Sequence, residues 1–170
     1  MKHSIKFTII IFIALSTFLI SCGTTQSTIE KEEKASFLDN KIENLDFKFV
    51  AKYAYPQYYK AIYLSSTYDV TVTPDTIKSF LPYYGRAYRA PIDPSEGGIK
   101  FESSDFETEI KKGEKNGEWL VTIKTKDTPR PYTLFFHLWN NGTAQLNVND
   151  PDRQSISFQG VLESPQQKIE

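Results

Sequence analysis

His137 is the natural first candidate for a general base, because the only other histidine of the 170-residue chain is His3. It sits in Tyr-Thr-Leu-Phe-Phe-His-Leu-Trp, residues 132–139, where alternation puts Leu134, Phe136 and Leu138 on one strand face. Thr133, Phe135, His137 and Trp139 fall on the other. A strand histidine among aromatics is ordinarily a packed side chain, and a base must have its proton donor within hydrogen-bond reach. No G-x-S-x-G elbow, zinc pair or phosphate-cradling loop accompanies it, and Gly97-Gly98 alone is a weak signal. Carboxylates are more plentiful. Asp105, Glu107 and Glu109 alternate opposite Phe106 and Ile110, which suits a solvated acidic stripe better than an acid and a base in contrasting environments. Asn147, Asn149, Asp150 and Asp152 offer oxygens to calcium but lack the spacing and glutamate of an EF-hand loop, and they are common turn formers. No catalytic residue, metal or cofactor is expected.

The strongest binding signal is residues 81–98, LPYYGRAYRAPIDPSEGG. Tyrosine and arginine are the side chains that most often anchor interfaces. Tyr83, Tyr84, Arg86, Tyr88 and Arg89 therefore define a candidate binding lip. The structural alternative lays the rings over a sheet edge and pairs each arginine with a carboxylate such as Asp93 or Glu96. Pro82 can end a strand, Gly85 can take a positive φ, and Pro91 and Pro94 stiffen the loop beyond it.

The N-terminus carries an address. Lys2 and Lys6 precede residues 7–20, an uncharged apolar run of 14 residues. A spanning helix needs about 20, so the run reads as an export signal. Leu19-Ile20-Ser21-Cys22 resembles the bacterial lipobox, and Cys22 is the chain's one cysteine. The resemblance implies a diacylglyceryl group on Cys22, cleavage before it and N-acylation, so that several acyl chains hold the protein to the membrane. Gly23 stands where some Gram-negative bacteria place a retention aspartate, which favours the outer membrane, facing either the periplasm or the cell exterior.

Loss of residues 1–21 leaves 149 residues, about one domain. It also removes two lysines from 20 basic residues against 21 acidic ones, for a formal charge of −3. That is no electrostatic footprint for nucleic acid. Residues 22–28 read as a tether. Ser27 with Glu30 fits a capping box opening a helix over 30–44, with Phe37, Leu38, Ile42 and Leu45 as its apolar stripe. From Leu45 onward the period is two: Phe47, Phe49, Ala51 and Tyr53 share one face. Further strands are expected over 59–64, 68–73, 76–81, 99–102, 105–111, 119–123, 132–139, 143–148 and 155–162. Asn141-Gly142 marks a hairpin. The 29–163 segment is thus a mainly β domain, an antiparallel sandwich or a curled barrel-like sheet with one N-terminal helix, followed by a tail at 164–170. Its core should hold Trp119, Val121, Ile123, Leu134, Phe136, Leu146, Val148, Ile156 and Phe158.

Three segments, LDFKFVAKYAYP at 45–56, LPYYGRAYRAP…GGIKFES at 81–103 and NDPDRQSISFQGVL at 149–162, resemble a bacterial lipoprotein family known as domain of unknown function 4251. The resemblance implies a small exported β-rich domain and brings no activity or catalytic residues with it. Three functional classes remain open. A filled core with an exposed aromatic patch would favour a non-catalytic module binding an envelope protein or small ligand. A sizeable buried cavity would favour a β-barrel carrier of an apolar molecule, using the aromatic strand around Phe135 and Trp139. A cleft joining carboxylates of separated pKa would favour an envelope hydrolase.

Overall fold

A computed structural model describes residues 24–65, 67–88 and 97–163. Cys22, Arg89, Pro91, Asp93, Pro94, Glu96 and the 164–170 tail lie outside them. The segment 24–33 is helical and belongs to a separate compact unit; Lys34–Glu170 forms the main one.

Helix α1, Thr24–Glu43, starts three residues before Ser27, so the expected cap lies inside the helix. It ends in a double turn: Asp46 donates its backbone N–H to Lys41 O (2.8 Å) and Leu45 to Ile42 O (3.1 Å). That pair is a Schellman closure, and it places Leu45 at φ 52°, where glycine is usual. Leu38 and Ile42 are buried, whereas Phe37, expected in the same stripe, is exposed.

Ten strands follow the helix among the described residues. They are β1 Phe47–Pro56, β2 Ile62–Tyr63, β3 Asp69–Val72, β4 Ile77–Pro82, β5 Gly98–Ser103, β6 Phe106–Lys112, β7 Glu118–Thr125, β8 Thr133–Trp139, β9 Thr143–Asp150 and β10 Arg153–Leu162. Among the described residues they make one antiparallel sheet in the order β5-β4-β3-β1-β10-β9-β8-β7-β6, with β2 added beside β1. The two end strands, β5 and β6, are consecutive in the chain. The sheet therefore curls into a nearly closed barrel rather than splitting into the two layers of a sandwich.

Alternation decides which face is inside. Val121, Ile123, Leu134, Phe136, Leu138, Leu146, Val148, Ile156 and Phe158 are all buried, as is Trp119. The edge of Phe136 meets Phe47 and Phe49 with centroids 5.4 and 6.2 Å apart, so aromatic rings fill the middle. Tyr53 departs from the expected face. A bulge between Ala51 and Tyr53 adds one residue to β1 against β10, which turns Ala54 inward and leaves Tyr53 exposed. Gly160 is what makes this close crossing possible. A Cβ there would stand 2.0 Å from Val50 O, in the partner strand's backbone.

The seam between β5 and β6 is laced from the 126–132 loop. The Ser103 hydroxyl and the backbone N–H groups of Ser104 (2.8 Å) and Asp105 (3.1 Å) all donate to the Asp127 carboxylate. These donors hold the Asp127 carboxyl down to about 2, with the Ser103 hydroxyl the largest cause. Phe101 of β5 stacks on Tyr132 at 4.6 Å. Helix α1 is fixed to the barrel through Asp39, whose two oxygens accept from Trp119 Nε1 (2.6 Å) and Asn140 Nδ2 (3.0 Å).

Candidate functional site

The lip splits into committed and free residues. Tyr83 is partly buried against the core, its hydroxyl 3.0 Å from the carbonyls of both Arg86 and Gln154. Arg153 lies over its ring at 5.1 Å. Burial is the main cause that pushes the Tyr83 hydroxyl up. Backbone bonds extend the attachment: Tyr88 donates to Asp152 O (2.8 Å) and Gln154 to Arg86 O (3.1 Å). Tyr84 is half-buried, while Arg86 and Tyr88 face solvent. Residues 83–88 therefore brace the turn that joins β9 to β10. Gly85 does not take the expected positive φ; it makes room for the Tyr83 ring, whose hydroxyl a Cβ would meet at 2.6 Å.

That turn holds a buried charge cluster. Arg153 is 5% and Asp150 6% exposed. Asp150 Oδ2 lies 3.5 Å from Arg153 Nε and 3.7 Å from Arg130, and Arg153 also donates to Gly98 O at 3.0 Å. The cluster ties β5, the 126–132 loop and β10 together. The oxygen cluster read from the sequence is divided: Asp150 is buried, while Asn147 and Asn149 belong to the opposite face of β9. Among the described residues no three His, Cys, Asp or Glu side chains gather as metal ligands.

Four carboxylates, Asp39, Glu43, Glu114 and Glu118, line a 450 Å³ hollow beside the β6–β7 turn, and the two nearest Trp119 and His137 are engaged. Asp39 grips Trp119 and Asn140. Glu118 accepts from Lys115 N–H (2.9 Å) and contacts His137 Nε2 at 2.5 Å. Those bonds, Lys115 first and His137 second, hold the Glu118 carboxyl below the ordinary carboxylate range. His137 lies against Trp139 with ring centroids 4.0 Å apart. Glu118 and Trp139 thus orient the imidazole from two sides. The acidic stripe of β6 is likewise paired at the surface, Glu107 with Lys126 (2.9 Å) and Glu109 with Lys111 (2.6 Å).

The larger recess is a 560 Å³ groove on the outer face of β7 to β10 and β1. Cross-strand register builds it. Phe135 stands opposite Asn147, Asn147 opposite Ser157, and Ser157 opposite Tyr55. One row away, His137, Gln145 and Gln159 align in the same manner. Phe135 and Tyr55, both 41% exposed, form the walls. Three strand spacings separate them, about 14 Å at the backbone. The floor is amide and hydroxyl. Asn147 Nδ2 donates to Ser157 Oγ and the Tyr55 hydroxyl to Gln159 Oε1, each at 2.9 Å. Leu120 extends the Phe135 wall. Beyond Tyr55 the surface continues as tyrosine: Tyr53 and Tyr63 meet at 5.4 Å, and Tyr58 and Tyr59 are exposed, with Arg86 of the lip 6.0 Å over the Tyr58 ring. The sequence marked Phe135 and His137 as sharing a face, but not Tyr55 or the amides. The amides converge through hairpin register, and Tyr55 joins them through pairing with residues about a hundred positions away.

The chain is similar in fold to a crystal structure of a DUF4251 family protein from Bacteroides eggerthii. The TM-score is 0.56 at 12% identity, over 77% of this chain and 87% of that one. No curated protein matches it. The family model described as Domain of unknown function (DUF4251) matches residues 29–162, the whole strand system from α1 to the end of β10, and the chain belongs to that family.

Proposed function

We propose that this chain is a lipid-anchored protein of the cell envelope whose β domain binds a ligand or partner without chemistry of its own. The observation that carries the reading is a filled interior beneath an open, aromatic-walled groove. Protein surfaces rarely gather this much exposed aromatic area without use. The anchor rests on Cys22, the lone cysteine placed directly behind Leu19-Ile20-Ser21. Arg86 and Tyr88 extend the binding surface past Tyr58, while Tyr83 serves mainly to hold the lip. A carrier function is less well supported, because Phe47, Phe49, Phe136 and Phe158 already occupy the space that a guest would need.

Hydroxyl-radical footprinting tests the proposal, since exposed tyrosine and phenylalanine oxidise readily. Tyr55 and Phe135 should be protected in the membrane-anchored protein in whole cells relative to the purified domain. Equal oxidation of both residues in the two samples would overturn it.

A further inference from the structure

The groove's chemistry narrows its ligand, on the reading that it is the binding surface. We propose that it takes a neutral carbohydrate, with pyranose rings stacked on Phe135 and Tyr55 and their hydroxyls bonded to Gln145, Asn147, Ser157 and Gln159.

The floor supplies the polar half of recognition. The Gln145 side chain has no hydrogen-bond partner among the described residues. Asn147 and Ser157 share one bond, as do Tyr55 and Gln159. That leaves the Asn147 carbonyl oxygen, the Ser157 hydroxyl proton and the Gln159 amino group without a protein partner among the described residues. A carboxamide holds a donor and an acceptor in one plane. Two adjacent sugar hydroxyls complement it, one accepting and the other donating. The walls supply the apolar half. An aromatic face is electron-rich, and the axial C–H bonds on one side of a pyranose give it a weakly positive, apolar surface to meet. The volume, 560 Å³, falls in the range of about 300–1,000 Å³ usual for small-ligand sites.

Other ligand classes fit less well. Among the described residues no Lys, Arg, Asp or Glu lines the groove, and its imidazole, His137, is already paired with Glu118, so a charged ligand would lose water without gaining a free counter-charge. An apolar ligand would cover four polar side chains, and each polar group left unsatisfied costs about 1–3 kcal/mol. A peptide that binds by adding a strand needs a free sheet edge. Here β8, β9, β10 and β1 are all paired on both sides, so only side chains can answer a ligand.

The test uses amide NMR spectra of the 29–163 β domain with its α1 residues, titrated with neutral tetrasaccharides built from glucose, mannose, galactose or N-acetylglucosamine. A random octapeptide mixture is titrated in parallel. At least one sugar should move the amides of 135–137, 145–147 and 157–159 and show saturation transfer. Phe135→Ala and Gln145→Ala should each weaken that sugar at least tenfold, with the unfolding midpoint unchanged, because both side chains are exposed. If the peptides move these amides and no sugar does, the carbohydrate assignment is overturned while the groove remains a binding site. If neither does, both are overturned.

Discussion

Asp39 carries the joint between helix and barrel, and its removal tests the packing most directly. Trp119 is 5% exposed and its Nε1 donates to Asp39 Oδ1 at 2.6 Å. In Asp39→Ala the buried indole N–H loses its acceptor, which costs about 1–3 kcal/mol. Asn140 is half-buried and can turn to water, so its share is small. Alanine also suits the helix better than aspartate, by about 0.5 kcal/mol. The expected net loss is about 0.5–2.5 kcal/mol. Trp119→Phe removes the donor together with the volume of the pyrrole ring, a packing loss that the double-mutant cycle cancels, so the part owed to the bond should appear as non-additivity. Urea unfolding followed by circular dichroism on the wild type, both single variants and the double variant should give a coupling of about 1–2 kcal/mol. A coupling within about 0.3 kcal/mol of zero would show that this bond does not secure the joint, leaving the helix attached by Leu38, Ile42 and the Asp39–Asn140 bond.

The Asp127 clasp makes the seam acid-sensitive. Its folded pKa, about 2, lies below its ordinary value, so its contribution is complete above about pH 4 and is lost as pH falls through about 2. Asp127→Asn should flatten the unfolding midpoint across that window, and an unaltered acid profile would contradict the clasp. Arg153→Ala leaves the buried Asp150 with only the more distant Arg130, at 3.7 Å, and should cost up to about 3–5 kcal/mol by denaturant unfolding, whereas a surface-like value near zero would mean that the cluster is solvated. Trp119→Ala should cost about 3–5 kcal/mol in the same assay, and a near-neutral result would put its ring outside the core. Cys22→Ser should abolish labelling by radioactive palmitate, and persistent labelling would dismiss the anchor.

The β architecture was legible because half of each strand faces a dry interior. Trp119, Val121 and Ile123, then Leu134, Phe136 and Leu138, print that alternation without any knowledge of partners. Tyr53 escaped because a bulge inserts a residue without leaving a mark in the hydrophobic pattern. The segment 59–64 overstated a strand. Its aromatics suggest one, but only Ile62–Tyr63 pairs with β1, and Tyr59 and Tyr63 face solvent. The lip was visible as a cluster of tyrosine and arginine. Its division into a structural Tyr83 and an exposed Tyr88 was not, since that depends on where Gln154 and Arg153 stand. The groove was least legible, because Gln145, Asn147, Ser157 and Gln159 are ordinary outward-facing strand residues until register aligns them.

The pairing of β1 with β10 has a kinetic consequence. Phe49 meets Leu162 and Ala54 meets Phe158, so the first strand of the barrel finds its longer-paired neighbour only when the last one arrives. Contacts that span more than a hundred residues must close a large loop before they return any stabilisation, and such topologies fold slowly. A growing chain can form the β7–β8–β9 meander early, yet β1 keeps an open edge until β10 is present. The barrel is therefore completed only once β10 is available, and a chain cut short before Ile156 would display unpaired strand edges, a substrate for aggregation and proteolysis rather than a smaller working domain.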